Sequence, residues 1–314
     1  MANRSIAAYG LGELYPPNLA NNMTALQTAG WTTIILGLFH IDTAGNLYFN
    51  DTLIVNNGQY VGSPDWPGQL QKLVQGQGST VTTLEASIGG WGVADFANVK
   101  TIYQNNKNSF SGTLLQKTFQ TFFAKFPMVT LIDMDMENTY DQTSFVAFCQ
   151  MLIQIGFGIT FCPYTMQHFW TGSLAALNRS NPGAVKWWNL QCYAGGTGND
   201  PQDWAKAITA SIPGFNTTGF ILGSDWSRNL AEPSSDPSSW YWQGDCPPAV
   251  QNLVASFAGE SSVGGAFLWN IDQILNYAAD QKKKPDPQPC GVVGMTDYVA
   301  AIKKALGQSL GASG

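Results

Sequence analysis

Three acidic residues, Asp133, Asp135 and Glu137, alternate with Ile132, Met134 and Met136 in the run VTLIDMDME (129–137). On a strand, side chains alternate faces, so the three carboxyls share one face and the apolar residues take the other. Carboxyls aligned in a confined interior cannot all ionise freely, because burial and like charge both raise proton affinity. The outermost, Glu137, can then hold a proton near neutral pH and act as a general acid. Two other uses of such a row stay open. The acids could be satisfied structurally by hydrogen bonds, or they could ligate a cation. Calcium loops use Gly and polar spacers, whereas Ile and Met stand between these acids.

Other chemistries find little in the chain. His40 and His168 are the only histidines. No GxSxG elbow accompanies them, and both are read as structural. The five cysteines lack CxxC spacing, which argues against structural zinc. Cys149, Cys162 and Cys192 lie in apolar segments and read as buried thiols. Cys246 and Cys290 sit in Pro-rich loops, GDCPP and PQPCG, and could pair in an exported protein. Neither GxGxxG nor GxxxxGK[ST] is present between a strand and a helix. With 21 acidic against 15 basic residues and a net charge of -6, the chain is not expected to take nucleic acid as its main partner. No apolar run reaches the roughly 18 residues of a membrane span.

The elements that must position the acidic row follow from apolar periodicity over the 314 residues. Strands are expected at 5–10, 32–41, 80–90, 129–137, 158–165, 186–195, 219–226 and 264–272. Helices are expected at 19–30, 66–78, 113–126, 143–156, near 174–180, 201–211, near 249–259, and 296–307. Eight strand–helix alternations in a chain of this length fit a single (β/α)8 TIM barrel spanning 1–314, an α/β fold. A doubly wound open sheet is the runner-up. The stretch 227–245, with Trp240 and Trp242, reads as an extended loop that could line a groove together with Trp226. The stretch 281–290 reads as a surface loop with a solvated basic run. Charged residues are only 11% of the chain, but an apolar fraction of 44% supports a large core.

Around the acidic strand the chain resembles glycoside hydrolase family 18, the chitinases and endo-β-N-acetylglucosaminidases. VTLIDMDME looks like the family's DxxDxDxE signature, with Thr130 where the first aspartate would stand. Ser87-Ile88-Gly89-Gly90 is similar to its SxGG motif. Gln191-Cys192-Tyr193 resembles the Q-x-Y of the plant-type, hevamine-like branch, as does Ile6-Ala7-Ala8-Tyr9 on the first strand. Trp269 matches the tryptophan that floors a sugar subsite. These segments occur in the family's order over nearly the whole chain.

The resemblance implies a retaining mechanism in which the substrate's own 2-acetamido oxygen attacks, an exception to the two-carboxylate rule. It casts Glu137 as acid and base, Asp135 as the group that orients the acetamido N–H, and Asp133 as its partner. Tyr193 would bond the acetamido group and Gln191 would position substrate. Tyr9, Trp269 and Gly90 complete the expected substrate contacts, with Trp91 open between core and groove. The departures at Thr130 and at Ala194, where relatives carry Asp or Asn, bear on how Asp133 is held and on subsite contacts. No cofactor or metal is implied. The expected partner is an N-acetylglucosamine-containing polysaccharide or oligosaccharide, with no nucleic acid or membrane partner and a monomeric state. Chitin is the first expectation and the chitobiose core of N-glycans the second; a carbohydrate-binding protein without turnover is the other class. Only about 40 residues separate the seventh and eighth strands, so the α+β insertion of some relatives is not expected. That favours an open cleft and endo cleavage.

For compartment, sequons at Asn3, Asn22, Asn50, Asn178 and Asn216 are compatible with secretion. MANRSIAAYG lacks the apolar stretch of a signal peptide.

Overall fold

The computed structural model describes residues 4–309, so the sequon at Asn3 lies outside the described residues. Thirteen strands occur in it: β1 (Ser5–Gly10), β2 (Thr33–Ile41), β3 (Leu47–Phe49), β4 (Thr52–Asn56), β5 (Gln59–Tyr60), β6 (Thr83–Gly90), β7 (Val129–Met136), β8 (Gly158–Phe161), β9 (Val185–Asn189), β10 (Ile221–Trp226), β11 (Asn229–Ala231), β12 (Tyr241–Gln243) and β13 (Val263–Trp269). The α-helices are α1 (Asn18–Thr28), α2 (Trp66–Gln75), α3 (Asp95–Asn105), α4 (Leu114–Lys125), α5 (Gln142–Ile155), α6 (Gln167–Ser180), α7 (Pro201–Ser211), α8 (Pro247–Phe257), α9 (Ile271–Lys283) and α10 (Met295–Ala305).

Strands β1, β2, β6, β7, β8, β9, β10 and β13 pair in parallel in that order, and β13 pairs back to β1. This closes the expected eight-stranded TIM barrel, with the helices around it. Its walls divide the apolar residues into two layers. Ile132, Met134 and Met136 face the shell between strands and helices. Tyr9, Ile35, Cys162, Tyr193, Leu222 and Phe267 fill the interior with Trp226 and Trp269 at its edge. The acidic face of β7 therefore looks into the barrel, as period-two alternation requires.

Four elements depart from the sequence expectation. An antiparallel ribbon, β3–β5, extends β2 outward and lays Phe49 against Trp66, ring centroids 4.8 Å apart. Helix α3 follows β6 directly, burying Phe96 and Val99. The stretch 227–245 is tied down as the β11–β12 hairpin, with Arg228 donating to Asp286 from 2.6 and 2.8 Å. Lys282 and Lys283, expected in a loop, end α9, whose Asn270 cap accepts from Gln273 N. Cationic side chains at a helix C-terminus are favourable against its dipole. No α+β insertion lies between β10 and β13, only the hairpin and α8. Cys246 and Cys290 form a disulfide, Cα atoms 5.4 Å apart, joining the start of α8 to the loop after α9.

Candidate active site

The register of the parallel strands builds the site in layers. Ser87 on β6 lies beside Asp133 on β7, which lies beside Thr160 on β8. Asp133 is fully buried and held by four donors. Tyr9 and Ser87 hydroxyls approach its Oδ2, each at 2.7 Å. Thr160 Oγ1 and Asn189 Nδ2 approach its Oδ1, each at 2.9 Å. Thr130 takes no part: it is exposed at the start of β7. Its departure from the family pattern therefore leaves Asp133 fully partnered.

One step up the strand, Asp135 is almost fully buried and pairs with Glu137, with which it shares a hydrogen bond. Burial first, then the nearby Glu137 and Asp133 charges, hold the Asp135 proton affinity well above the usual carboxylate range. Burial also raises Glu137, while bonds from Gln191 and Asp135 oppose that rise. Gln191 Nε2 donates to Asp135 Oδ1 at 3.0 Å and reaches Glu137 Oε1 at 3.4 Å. Its backbone oxygen is itself fixed by Asn199 Nδ2 at 2.8 Å. The expected substrate-positioning residue thus touches both carboxyls. A carboxyl pair that holds one proton beside a water-accessible opening can give that proton to a leaving group and recover it from water.

Glycines 89 and 90 make room above the pair. Both have positive φ, 114° and 103°. A Cβ on Gly89 would collide with the Asp135 carbonyl oxygen, and one on Gly90 would come within 2.5 Å of Leu38 Cδ1. Only glycine satisfies both constraints.

The opening is a cleft of about 510 Å³. Asp135, Glu137, Gln191 and Tyr193 form its polar floor, with Gly90, Leu38, Tyr164, Ala194 and Gly195 around them and Trp91, Trp226 and Trp269 as its aromatic surfaces. Tyr193 stacks on Trp226, centroids 5.8 Å apart. Among the described residues none hydrogen-bonds its hydroxyl. Trp91 is 85% exposed, which resolves its placement in favour of the groove. Ala194 is exposed on the rim and starts a short 3-10 turn. A larger groove of about 790 Å³ lies at the opposite end of the barrel, near Arg4 and Lys303, and no described acid, His or Cys lines it.

The structure corrects two readings. Tyr9, expected to contact sugar, is 0% exposed, and its hydroxyl is spent on Asp133 and, at 3.2 Å, Cys162 Sγ. It lies a layer too deep to reach the cleft. Trp240 and Trp242 do not line the cleft, because their indole N–H groups bond Ser234 O and Lys284 O on the far side of the hairpin. His40, read as structural, also lies outside the cleft. Its Nδ1 meets Asp95 at 2.9 Å, while Asp95 also accepts from Ile41 N.

Sequence reasoning missed Glu85, Thr160 and Asn189, all fully buried beneath the site. Glu85 carried a signal, a lone acid in the apolar run TLEASIGG. Thr160 and Asn189 carried none.

No family model matches the chain, and no curated protein matches it. Solved structures do. A chitinase from Chromobacterium violaceum superposes with a TM-score of 0.57 at 13% identity, covering 98% of this chain and 100% of that one. The catalytic domain of a family GH18 chitinase from the fern Peteris ryukyuensis gives 0.53 at 14% identity, with 96% and 99% covered. Active domain 2 of a thermostable chitinase from Pyrococcus furiosus, solved as catalytic-site mutants with chito-oligosaccharides, gives 0.58 at 10% identity, with 97% and 95% covered. The fold is that of the family 18 chitinases.

Proposed function

We propose that this protein is an endo-acting glycosidase that cleaves β-1,4-linked N-acetylglucosamine by substrate-assisted, retaining hydrolysis. The observation that carries the reading is the Asp135–Glu137 pair, clamped by Gln191 and opening into a cleft walled by tryptophans. Tryptophan faces suit the apolar C–H faces of pyranose rings. The Tyr193 hydroxyl stands beside them, available to donate to an acetamido carbonyl.

The chemistry follows from one shared proton. An acetamido N–H donating to Asp135 stabilises the Asp135 anion and moves the proton to Glu137. Glu137 gives it to the glycosidic oxygen as the C–O bond breaks, while the acetamido oxygen closes on the anomeric carbon. The resulting oxazolinium carries positive charge that Asp135 faces directly, so electrostatic stabilisation is built in. Glu137, now anionic, takes a proton from water, whose oxygen attacks the anomeric carbon and reopens the ring. Two inversions give net retention.

The cleft is open at the surface and no insertion domain walls it, which favours binding along a polymer. The Cys246–Cys290 disulfide supports an exported protein, since such bonds persist in oxidising compartments. The test is product analysis with wild type and Glu137→Gln on N-acetylglucosamine oligomers and a chitobiose-core glycopeptide. Cleavage by the wild type alone supports the reading, and the cleaved substrate identifies the class. Binding without cleavage by wild type points to a carbohydrate-binding protein.

A further inference from the structure

Beneath the site, Glu85 on β6 is fully buried and faces Asp133 across Thr160 and Asn189. Thr160 Oγ1 lies 2.7 Å from Glu85 Oε2 and 2.9 Å from Asp133 Oδ1. A hydroxyl has one hydrogen, so it can donate to only one of them. The other contact is a hydrogen bond only if a carboxyl donates back to Thr160, so this pair of acids holds a proton.

The surroundings say which acid holds it. Asn189 is oriented by the Trp187 indole N–H, a donor only, which approaches its Oδ1 at 3.1 Å. Both amide hydrogens therefore point the other way, to Asp133 at 2.9 Å and Glu85 at 3.2 Å. Counting Tyr9, Ser87 and Thr160, Asp133 has a full set of donors for an anion. Glu85 has the long Asn189 contact alone, and its Oε1 is buried without a partner. The proton belongs on Glu85, which donates to Thr160 while Thr160 donates to Asp133. Burial and the facing Asp133 charge, outweighing the Thr160 and Asn189 bonds, raise Glu85 to about 8.

We propose that Glu85 is a positioning residue that keeps a reserve proton for Asp133 through the Thr160 hydroxyl, and so leaves Asp135 free to share its own proton with Glu137. A double transfer moves it without net loss. Glu85 passes its proton to Thr160 Oγ1 as Thr160 passes its own to Asp133 Oδ1, leaving Glu85 anionic and Asp133 neutral. While Asp133 is anionic and fully donated to, it has no need of the Asp135 proton. Among the described residues its hydrogen-bond partners do not include Asp135. The inference rests on the catalytic reading above.

Of the described titratable groups, Asp133 alone faces Glu85; Asp133 also adjoins Tyr9, Cys162 and Asp135, and no Lys, Arg or His adjoins either acid. Loss of the Glu85 proton at high pH therefore places a second anion beside Asp133 and leaves both competing for one hydroxyl. Asp133 then draws the Asp135 proton away from Glu137, and turnover falls.

The test compares kcat against pH for wild type, Glu85→Gln and Thr160→Val, with thermal melting to verify folding. Gln presents an N–H where the acid presented an O–H and cannot ionise. Its alkaline limb should rise by about one pH unit or more, a displacement within the range of site-to-site pKa perturbation. Thr160→Val should shift that limb downward. Infrared difference spectra of wild type between about pH 7 and about pH 9 should show loss of a buried protonated-carboxyl band, absent in Glu85→Gln. Turnover by wild type with the limb and the band both unaltered by Glu85→Gln would overturn the inference while leaving the catalytic reading intact. Absence of wild-type turnover would overturn the catalytic reading. The infrared band would then still decide whether Glu85 holds the proton.

Discussion

Gln191 Nε2 donates to Asp135 Oδ1 across 3.0 Å, joining the end of β9 to the acidic strand at the level where chemistry takes place. The same amide reaches Glu137, so one side chain sets the spacing of two carboxyls. Replacing Gln191 with Met removes that donor and keeps the volume. A hydrogen bond to a charged group is worth about 1.5–3 kcal/mol. The expected result is a fall in kcat of roughly 10- to 100-fold, with KM less affected, measured by initial rates on an N-acetylglucosamine oligomer.

Trp91 offers a different test, because it is 85% exposed and supports no core. Trp91→Ala should leave the melting temperature nearly unchanged, since exposed substitutions usually stay within about 0.5 kcal/mol. Binding of long oligomers should weaken by about tenfold, the loss of roughly 1.4 kcal/mol of stacking. Isothermal titration with the inactive Glu137→Gln variant separates binding from turnover.

Buried acids give stability a pH dependence of definite sign. Glu85 rises to about 8 and Asp225 to about 7 in the fold, chiefly through burial. In the unfolded chain both lose their protons near the ordinary carboxylate range. Between those values the unfolded state binds fewer protons than the native state, so stability falls as pH rises. Their contribution is fully present below about pH 4 and is lost as pH passes through about 7 and 8, at a cost on the order of a few kcal/mol. Melting curves should show a lower Tm at pH 8.5 than at pH 5.5, and Glu85→Gln should flatten the slope.

The Cys246–Cys290 disulfide closes a 44-residue separation and lies away from the cleft. Cys290→Ser should lower stability by about 2–4 kcal/mol, largely through the greater entropy of the unfolded chain. Activity at low temperature should persist. A large loss of activity without loss of stability would place the loop after α9 in substrate binding.

Much of the barrel was legible because its strands obey simple periods. The alternation in VTLIDMDME specified which way Asp133, Asp135 and Glu137 face, and the structure keeps that facing. The β3–β5 ribbon was hidden because its strands are only two to five residues long, and their placement is fixed by pairing with β2 and by packing against Trp66 of α2. Helix α9 was hidden by the strand before it, which runs apolar to its cap at Asn270. In the site, Tyr9 shows the limit of reading a strand end. Its position on β1 was evident, whereas its depth depends on the barrel closing around it. Thr160 and Asn189 sit on separate strands among ordinary residues, and only the register between β7, β8 and β9 brings them to Asp133.

The central claim is that the substrate's acetamido group attacks and Glu137 supplies and recovers the proton. Proton NMR of the anomeric signals, recorded from the first minutes of cleavage of an N-acetylglucosamine tetramer, tests it most directly. The account predicts that the new reducing end appears first as the β anomer and then mutarotates, with no product from Glu137→Gln. First appearance of the α anomer would contradict it, as would cleavage at wild-type rates by Glu137→Gln.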